Sequence, residues 1–165
     1  MPESDRGSRI SSVKVSSRTH YGLRAMTRLA KTHGERTLSL SEIAAVEHLP
    51  LPYLEQVILP LRRSGLVEGT RGAHGGYRLT RAPADIRISD VVRALEPEAL
   101  APVECFLDGY IEGSCAVQTD CASRPLWARV KAAAVAVLDS TTLADLDQSE
   151  ATSTHSKGTA VTIHG

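Results

Sequence analysis

The stretch from Leu40 to Leu79 constrains the fold of this chain more than any other part of the sequence. Ser39 stands three residues before Glu42, which is the spacing of a capping box at the first turn of a helix. We predict a short helix from there to about His48. The residues at 49–52, Leu-Pro-Leu-Pro, should interrupt it, because proline lacks a backbone N–H and favours extended geometry in its predecessor.

A second helix is predicted to begin at Pro52, since proline suits the first helical position. Its apolar residues recur at i, i+3, i+4 and i+7, so they form one buried stripe. They are Leu54, Val57, Ile58 and Leu61. Gly65 is the expected C-cap. Pro60 lies well inside the helix, and we expect a bend near residues 56–59 because proline forfeits one backbone hydrogen bond.

Two short strands and a glycine-rich tip should follow. The strands are predicted at 66–68 and 77–79, with residues 71–76 as a tip that uses glycine's freedom to take positive φ. This is the outline of a winged helix-turn-helix, whose second helix enters the major groove of DNA. The side chains predicted to contact DNA are Tyr53 and Gln56 on bases, and Arg62, Arg63, Arg71, His74, Arg78 and Arg81 on phosphates. The alternative is ordinary solvated surface charge.

Charge is unevenly distributed along the chain, although its 165 residues carry no net charge. Residues 1–96 hold 15 Lys and Arg against 10 Asp and Glu, whereas residues 97–165 hold 4 against 9. The basic first part suits a nucleic-acid partner. We find no apolar run long enough to span a bilayer and no signal-peptide core, so we expect a soluble, cytoplasmic protein with no membrane partner.

The fold class is therefore predicted to be mainly α with a small β-wing. Residues 1–12 should be a disordered leader, and residues 13–96 the winged helix-turn-helix domain. This domain should open with a short edge strand at 13–15 and a helix from Ser16 or Ser17 to about His33. A further short helix is predicted over 88–95.

The second part of the chain should hold three segments. Residues 97–124 read as a cysteine-bearing loop because of their prolines and glycines. Pro125 should open a helix that runs, with a last turn capped by Thr142, to 147, and residues 148–165 should be a disordered tail. The helix carries an apolar stripe of Trp127, Val130, Ala134, Val137 and Leu138. Such a stripe is a natural dimerisation surface, and the alternative is that it packs on its own domain.

Cys105, Cys115 and Cys121 are separated by nine and five residues. Thiols that close on one loop can converge on a soft metal or an iron–sulfur cluster, although three of them leave one ligand missing. The C-x2-C pair common in structural zinc sites is absent. On the residues alone, a cluster, zinc and unliganded thiols all stay open. An enzyme with a nucleophilic cysteine is disfavoured, because no histidine lies near any of the three in sequence.

The sequence resembles the Rrf-type winged-helix regulators, a family that includes IscR-like and NsrR-like iron–sulfur regulators. The segments that carry the resemblance are VKVSSRTHYGLRAMTRLA (13–30), YLEQVILPLRRSGLVEGTRGAHGGYRL (53–79), the three cysteines, and 125–146, which ends in TTLADL. The resemblance implies a homodimer formed through the C-terminal helix. It also implies a transcriptional regulator whose operator binding is controlled by a cluster that senses redox state, nitric oxide or iron–sulfur status.

The resemblance further implies a ligand set. In IscR-like members a histidine three residues after the last cysteine completes the site, but Arg124 stands there, and a guanidinium offers no lone pair. In NsrR-like members the fourth ligand comes from the beginning of the other subunit's first helix, where His20 aligns. The expected ligands are thus Cys105, Cys115 and Cys121 of one subunit and His20 of its partner.

A 2Fe–2S cluster is slightly favoured at this site and a 4Fe–4S cluster stays open, because imidazole ligation is familiar in the former. The alternative for His20 is a surface or helix-packing histidine. The alternative function is a cluster-free winged-helix regulator that acts through a protein partner or through direct thiol oxidation.

Overall fold

The computed structural model describes residues 16–72 and 75–148. Its helices are α1 (Ser17–Lys31), α2 (Leu40–Glu47), α3 (Leu51–Arg63), α4 (Ile88–Leu95) and α5 (Arg124–Ser140), and its strands are β1 (Val67–Thr70) and β2 (Gly76–Leu79). A helical segment over 143–148 follows α5. The predicted leader, the edge strand at 13–15, His74 and the tail beyond 148 lie outside the described residues. The predicted fold class is confirmed.

Side-chain caps set the starts of the first two helices. The backbone N–H of Thr19 donates to Ser16 Oγ at 3.2 Å, which caps α1. At α2 both arms of the predicted capping box form: Glu42 N–H donates to Ser39 Oγ at 3.2 Å, and Ser39 N–H donates to Glu42 Oε2 at 2.7 Å. α1 ends at Lys31, two residues earlier than predicted.

The recognition helix α3 begins one residue earlier than predicted. Pro50 takes extended geometry as the N-cap, and its carbonyl accepts from Leu54 N–H at 3.2 Å, so Pro52 occupies the second helical position. A missing N–H costs nothing there, because the first four N–H groups of a helix have no partner within it. The helix continues through Pro60 to Arg63. The bend near residues 56–59 stays a prediction.

The end of α3 leads directly into the wing. The C-cap is Ser64, one residue before the predicted Gly65, and Gly65 follows it at φ +72. Leu66 N–H donates back to Leu61 O at 3.0 Å, and Gly65 N–H to Arg62 O at 3.0 Å. These two bonds form a Schellman motif, which needs the left-handed conformation at glycine. Leu66 therefore belongs to the helix end, and β1 begins at Val67 rather than at 66.

β1 and β2 pair in antiparallel register, with Val67 opposite Leu79 and Thr70 opposite Gly76. The chain before α2 adds a bridge to this hairpin, since Tyr77 N–H donates to Leu38 O at 2.7 Å. A Cβ on Gly76 would lie 2.7 Å from Leu38 backbone atoms, so only glycine permits this approach.

One aliphatic core holds the helices and the wing together. Its most buried large side chains come from α1, α2, α3, the connections that follow them and the segment after α5, and they are Met26, Leu29, Ile43, Leu54, Leu61, Leu66, Ile86 and Leu143. Val91 of α4 and Val67 and Leu79 of the wing are buried in the same core. The predicted stripe of α3 is buried as expected. None of the described helices is long and apolar enough to cross a membrane.

α5 lies against this domain and is tied back to it at its C-terminal end. It begins at Arg124, with Pro125 in the second helical position rather than the first. After it, Leu143 N–H donates to Ile86 O at 3.0 Å and Ile88 N–H donates to Thr141 O at 2.9 Å. Thr142 caps the last segment, which extends to 148, one residue beyond its predicted end.

We predict an acid-dependent loss of stability at the start of α2. The Ser39 backbone N–H and the Arg36 side chain lower the pKa of Glu42 from 4.5 to about 2. A depressed carboxyl pKa contributes stability above the unfolded value, and this contribution is lost as pH falls from about 4.5 through about 2. Urea unfolding across this range should show a steeper loss for the wild type than for Glu42→Gln. Parallel pH profiles for the two proteins would contradict this assignment.

Candidate functional site

The three cysteines line one cavity of about 440 Å³ between the loop and the start of α5. Cys105 lies on a single 3₁₀ turn, Glu104–Phe106, and Cys121 lies just before α5. Both are half-buried, whereas Cys115 is exposed. The remaining wall is formed by Val103, Glu104, Tyr110, Ser114, Ser123, Arg124 and Trp127. The fold therefore brings together thiols that are up to sixteen positions apart in sequence.

Contacts from α5 hold the segment that carries Cys105. Lys131 Nζ donates to the Phe106 carbonyl at 3.0 Å and lies 5.7 Å from the centroid of the Phe106 ring. Arg124 Cζ lies 5.9 Å from the same centroid. These cation–π contacts and the hydrogen bond attach the residue after Cys105 to a helix.

The middle of the loop is shaped by its own polar groups. Gln118 Oε1 accepts from Gly113 N–H at 2.7 Å and from the Tyr110 hydroxyl at 3.5 Å. Gly109 and Gly113 both take positive φ, near +86 and +88. These turns fold Cys115 back toward the other two cysteines.

Local hydrogen bonds favour the ionised form of one thiol. Cys121 Sγ lies 3.3 Å from Ser123 Oγ. The Ser123 hydroxyl and backbone N–H lower the pKa of Cys121, and the neighbouring Arg124 adds to this effect. The thiolate is both the nucleophilic form and the metal-binding form of cysteine, so the site is predisposed to either chemistry.

The three cysteine sulfurs are of the type that binds an iron–sulfur cluster, but one chain does not supply the complete set of ligands. Three sulfur donors face one cavity, and thiolates are the usual ligands of such clusters. In the described part of the chain, however, no three His, Cys, Asp or Glu side chains are arranged to hold a metal ion. Arg124 occupies the position where a histidine would be needed, and it lines the cavity as a cation. At least one ligand would have to come from elsewhere.

His20 is exposed near the start of α1 and does not line the cysteine cavity of its own subunit. Its ring centroid lies 5.6 Å from that of Tyr21. The predicted ligand role requires a second subunit, and it stays a prediction.

The residues predicted to contact DNA differ in whether they also have partners within the protein. Gln56, Arg62, Arg63 and Arg71 are exposed, and none of these arginines has an ion-pair partner in the ranges that the structure describes. A Cβ built on Gly69 would lie 3.9 Å from Arg62 Nε, so this guanidinium adjoins the wing. Helix and wing thus present one basic surface.

The other predicted contacts are engaged within the protein. Tyr53 is half-buried, and its ring packs edge-on against Tyr21 with centroids 5.3 Å apart. Arg78 Nε lies 2.6 Å from Glu68 Oε1 across the wing. Arg81 Nη2 lies 3.9 Å from Asp90. For these three, a role on DNA stays a prediction, and phosphate contacts by the arginines would compete with these ion pairs.

Two polar networks, around Glu47 and around Glu96, connect the helices near the site. The sequence analysis did not predict either of them. Glu47, at the end of α2, receives Arg28 Nη2 at 2.6 Å and Arg24 Nε at 3.1 Å from α1. Glu96, where α4 meets the cysteine loop, accepts from the Ser16 and Thr19 hydroxyls at the start of α1. The only sequence signal for either network is the four-residue spacing of the two arginines, which places them on one helix face.

Comparison with known proteins identifies the family. The profile of the Rrf2 family, described as "Iron-dependent Transcriptional regulator", matches residues 15–149. The chain belongs to the Rrf2 family. The predicted resemblance is confirmed, and the Rrf2 chains that it matches are transcriptional regulators, not enzymes.

Two curated Rrf2 relatives illustrate the range of the match. The chain is 44% identical over 134 residues to the HTH-type transcriptional regulator CymR of Bacillus subtilis, covering 81% of this chain and 89% of that protein. It is 34% identical over 141 residues to the HTH-type transcriptional regulator IscR of Cereibacter sphaeroides, covering 84% and 89%.

Solved Rrf2 structures agree with the fold. The structure of CymR (YrzC), the global cysteine regulator of B. subtilis, matches with a TM-score of 0.67 at 44% identity and covers 82% of this chain and 96% of that one. The IscR structure from T. potens matches with a TM-score of 0.65 at 37% identity and covers 90% and 93%. The chain is therefore similar both to a cysteine regulator and to IscR.

Proposed function

We propose that this DNA-binding transcriptional regulator controls its operator affinity through an iron–sulfur cluster held by Cys105, Cys115 and Cys121. The observation that carries the proposal is the convergence of all three thiols on one cavity beside the cationic Arg124. The iron-dependent description of the Rrf2 family and the likeness to IscR support it. When bound, the cluster supplies iron that responds to oxidants and nitric oxide.

The surrounding residues can carry a change at the cysteines to the DNA-binding domain. The loop that bears them begins at Glu96, whose carboxylate is bonded to Ser16 and Thr19 at the start of α1. α1 in turn is joined to α2 through the two arginine contacts of Glu47. A loop that moves when its cysteines gain or lose their ligand would act on the recognition unit by this route.

A second candidate function is a cluster-free Rrf2 regulator that responds by direct thiol oxidation or through a protein partner. It is favoured by the lack of a preformed metal-binding group in the described residues and by the lowered pKa of Cys121. The likeness to CymR proteins is consistent with it.

Anaerobic purification separates the two functions. We expect brown protein with iron and sulfide in comparable amounts, and a loss of both in Cys105→Ser, Cys115→Ser and Cys121→Ser. His20→Ala should lower cluster content if the partner's His20 is the fourth ligand, whereas His33→Ala, on an exposed turn after α1, is the matched control. Colourless protein after reconstitution, or an operator affinity that ignores the cluster, would favour the thiol mechanism.

The dimer is proposed to form through α5. No residue of this helix is fully buried in the subunit, and Leu126, Val130 and Val137 are 55%, 40% and 63% exposed. Apolar surface of this kind along one helix is typical of a two-fold interface. A two-fold dimer would also place the recognition helices on the two halves of a palindromic operator.

Substitution of Val137 by Glu should shift the protein from dimer to monomer, because a charge at the interface would be buried without a partner. Sedimentation equilibrium measures this directly against the 17.7 kDa mass of one chain. Val46→Glu, at a valine on α2 that is 53% exposed, should leave the mass unchanged. A dimer that survives Val137→Glu would place the interface elsewhere.

For DNA, we propose that Arg62 and Arg63 at the end of α3 contact phosphates while Gln56 reaches base edges. Arg62→Ala should weaken binding to every sequence alike and reduce the slope of log K against log salt by about 1. Fluorescence anisotropy with a random-sequence duplex and a selected operator tests this. Arg87→Ala, at an exposed arginine before α4 and outside the proposed dimer helix, serves as the control. Selective loss at one base position would show that Arg62 reads sequence instead.

A further inference from the structure

A second cavity, of about 600 Å³, adjoins the cysteine loop and has no part in the function proposed above. It lies between the end of α4, the segment 97–108 and α5. Its volume is within the range of about 300–1,000 Å³ that is usual for sites of small molecules.

Charges of both signs line this cavity. Arg93 from α4 and Lys131 from α5 are cationic, and Glu98 and Asp108 from the loop are anionic. Among the described residues, neither carboxylate has an ion-pair or hydrogen-bond partner. A simple anion would face the two carboxylates and a simple cation would face the two basic groups. A ligand with both charges complements both kinds of group.

Both cations retain donors for a ligand. Lys131 uses one of its three N–H donors for the Phe106 carbonyl at 3.0 Å. Arg93 makes only long contacts, at 3.3 Å to Ser89 Oγ, 3.4 Å to Asp139 Oδ1 and 4.0 Å to Asp90 Oδ1. A guanidinium has five donors in a planar fork that matches a carboxylate, so Arg93 and Lys131 each have donors left for a carboxylate in this cavity.

Apolar side chains also line the cavity and leave room for an uncharged substituent. Leu100 and Leu107 come from the loop, and Val135 comes from α5. We propose that this cavity binds a free α-amino acid with an apolar side chain. Its carboxylate lies at Arg93 and Lys131, and its ammonium group at Glu98 and Asp108.

This site is linked to the cysteine cavity through one residue. Phe106 follows Cys105 directly in the sequence and also lines the second cavity. Its carbonyl accepts the hydrogen bond from Lys131. A carboxylate bound by the remaining donors of Lys131 pulls on the same ammonium group and so alters the hold of α5 on the cysteine segment. The regulatory consequence, a change in operator affinity, rests on the proposed function; binding itself does not.

Isothermal titration calorimetry of the full chain with each of the twenty proteinogenic amino acids tests the binding. We expect saturable binding of at least one amino acid with an apolar side chain. The matched acid without the amino group and the matched amine without the carboxylate should each bind about tenfold more weakly, because each loses a charge-assisted contact. Saturable binding by none of the twenty, or equal binding by the deaminated acid, would overturn the proposal.

Variants locate the site. Lys131→Met and Glu98→Gln should each weaken binding of the best amino acid about tenfold, whereas Arg129→Met on the same helix as Lys131 should not. Glu98 is exposed and its carboxylate accepts no hydrogen bond from the described residues, so its variant should fold normally. Unchanged affinity in both variants would refute the site. Binding that is retained without any effect on operator affinity would refute only the link to the cysteine cavity.

Discussion

Three helices of this protein meet at Gly22, and the arrangement of the rest depends on this contact. A Cβ on Gly22 would overlap the end of the Leu95 side chain of α4 and lie 3.3 Å from Val57 Cγ1 of the recognition helix. The absence of a side chain therefore sets how closely α1 approaches both helices. Since α4 leads into the cysteine loop one residue after Leu95, the same contact relates the loop to the DNA-binding unit.

Polar groups around this junction give it a defined orientation. Glu96 bonds to the start of α1 just beyond Leu95, and Glu47 joins α2 to the middle of α1 through Arg24 and Arg28. Carboxylates that are shared between helices in partly buried positions resist sliding, because any displacement leaves charge without a partner. α1 is thus the common support of the recognition unit and of the loop.

The C-terminal helix serves the loop in a different way. It contributes little to the core, and the segment after it is anchored by the fully buried Leu143. Its first two turns instead supply Arg124 and Lys131, which both contact Phe106. Arg124 lines the cysteine cavity, and Lys131 lines the charged cavity. A helix with one end anchored and one face exposed can both pair with another subunit and transmit its position to the thiols.

The sequence alone determined the local elements of the fold. The Ser39–Glu42 spacing, the stripe of α3 and Gly65 specify the two helices and the turn into the wing, because caps, periodicity and positive φ are properties of neighbouring residues. The misplaced boundaries at Pro52, Pro125 and Leu66 lie within one residue, where the prolines take the second helical position and the Schellman bonds extend the end of α3.

The tertiary structure decided what these elements bring together. The spacing of the three cysteines indicated a shared site, but their common cavity depends on contacts from Gln118, Lys131 and Arg124 that no local pattern encodes. Likewise, Tyr53 and Arg78 were predicted to contact DNA, yet packing against Tyr21 and pairing with Glu68 engage them within the protein. Sequence specifies the short-range interactions of a side chain, and only the packed chain determines which distant groups become its neighbours.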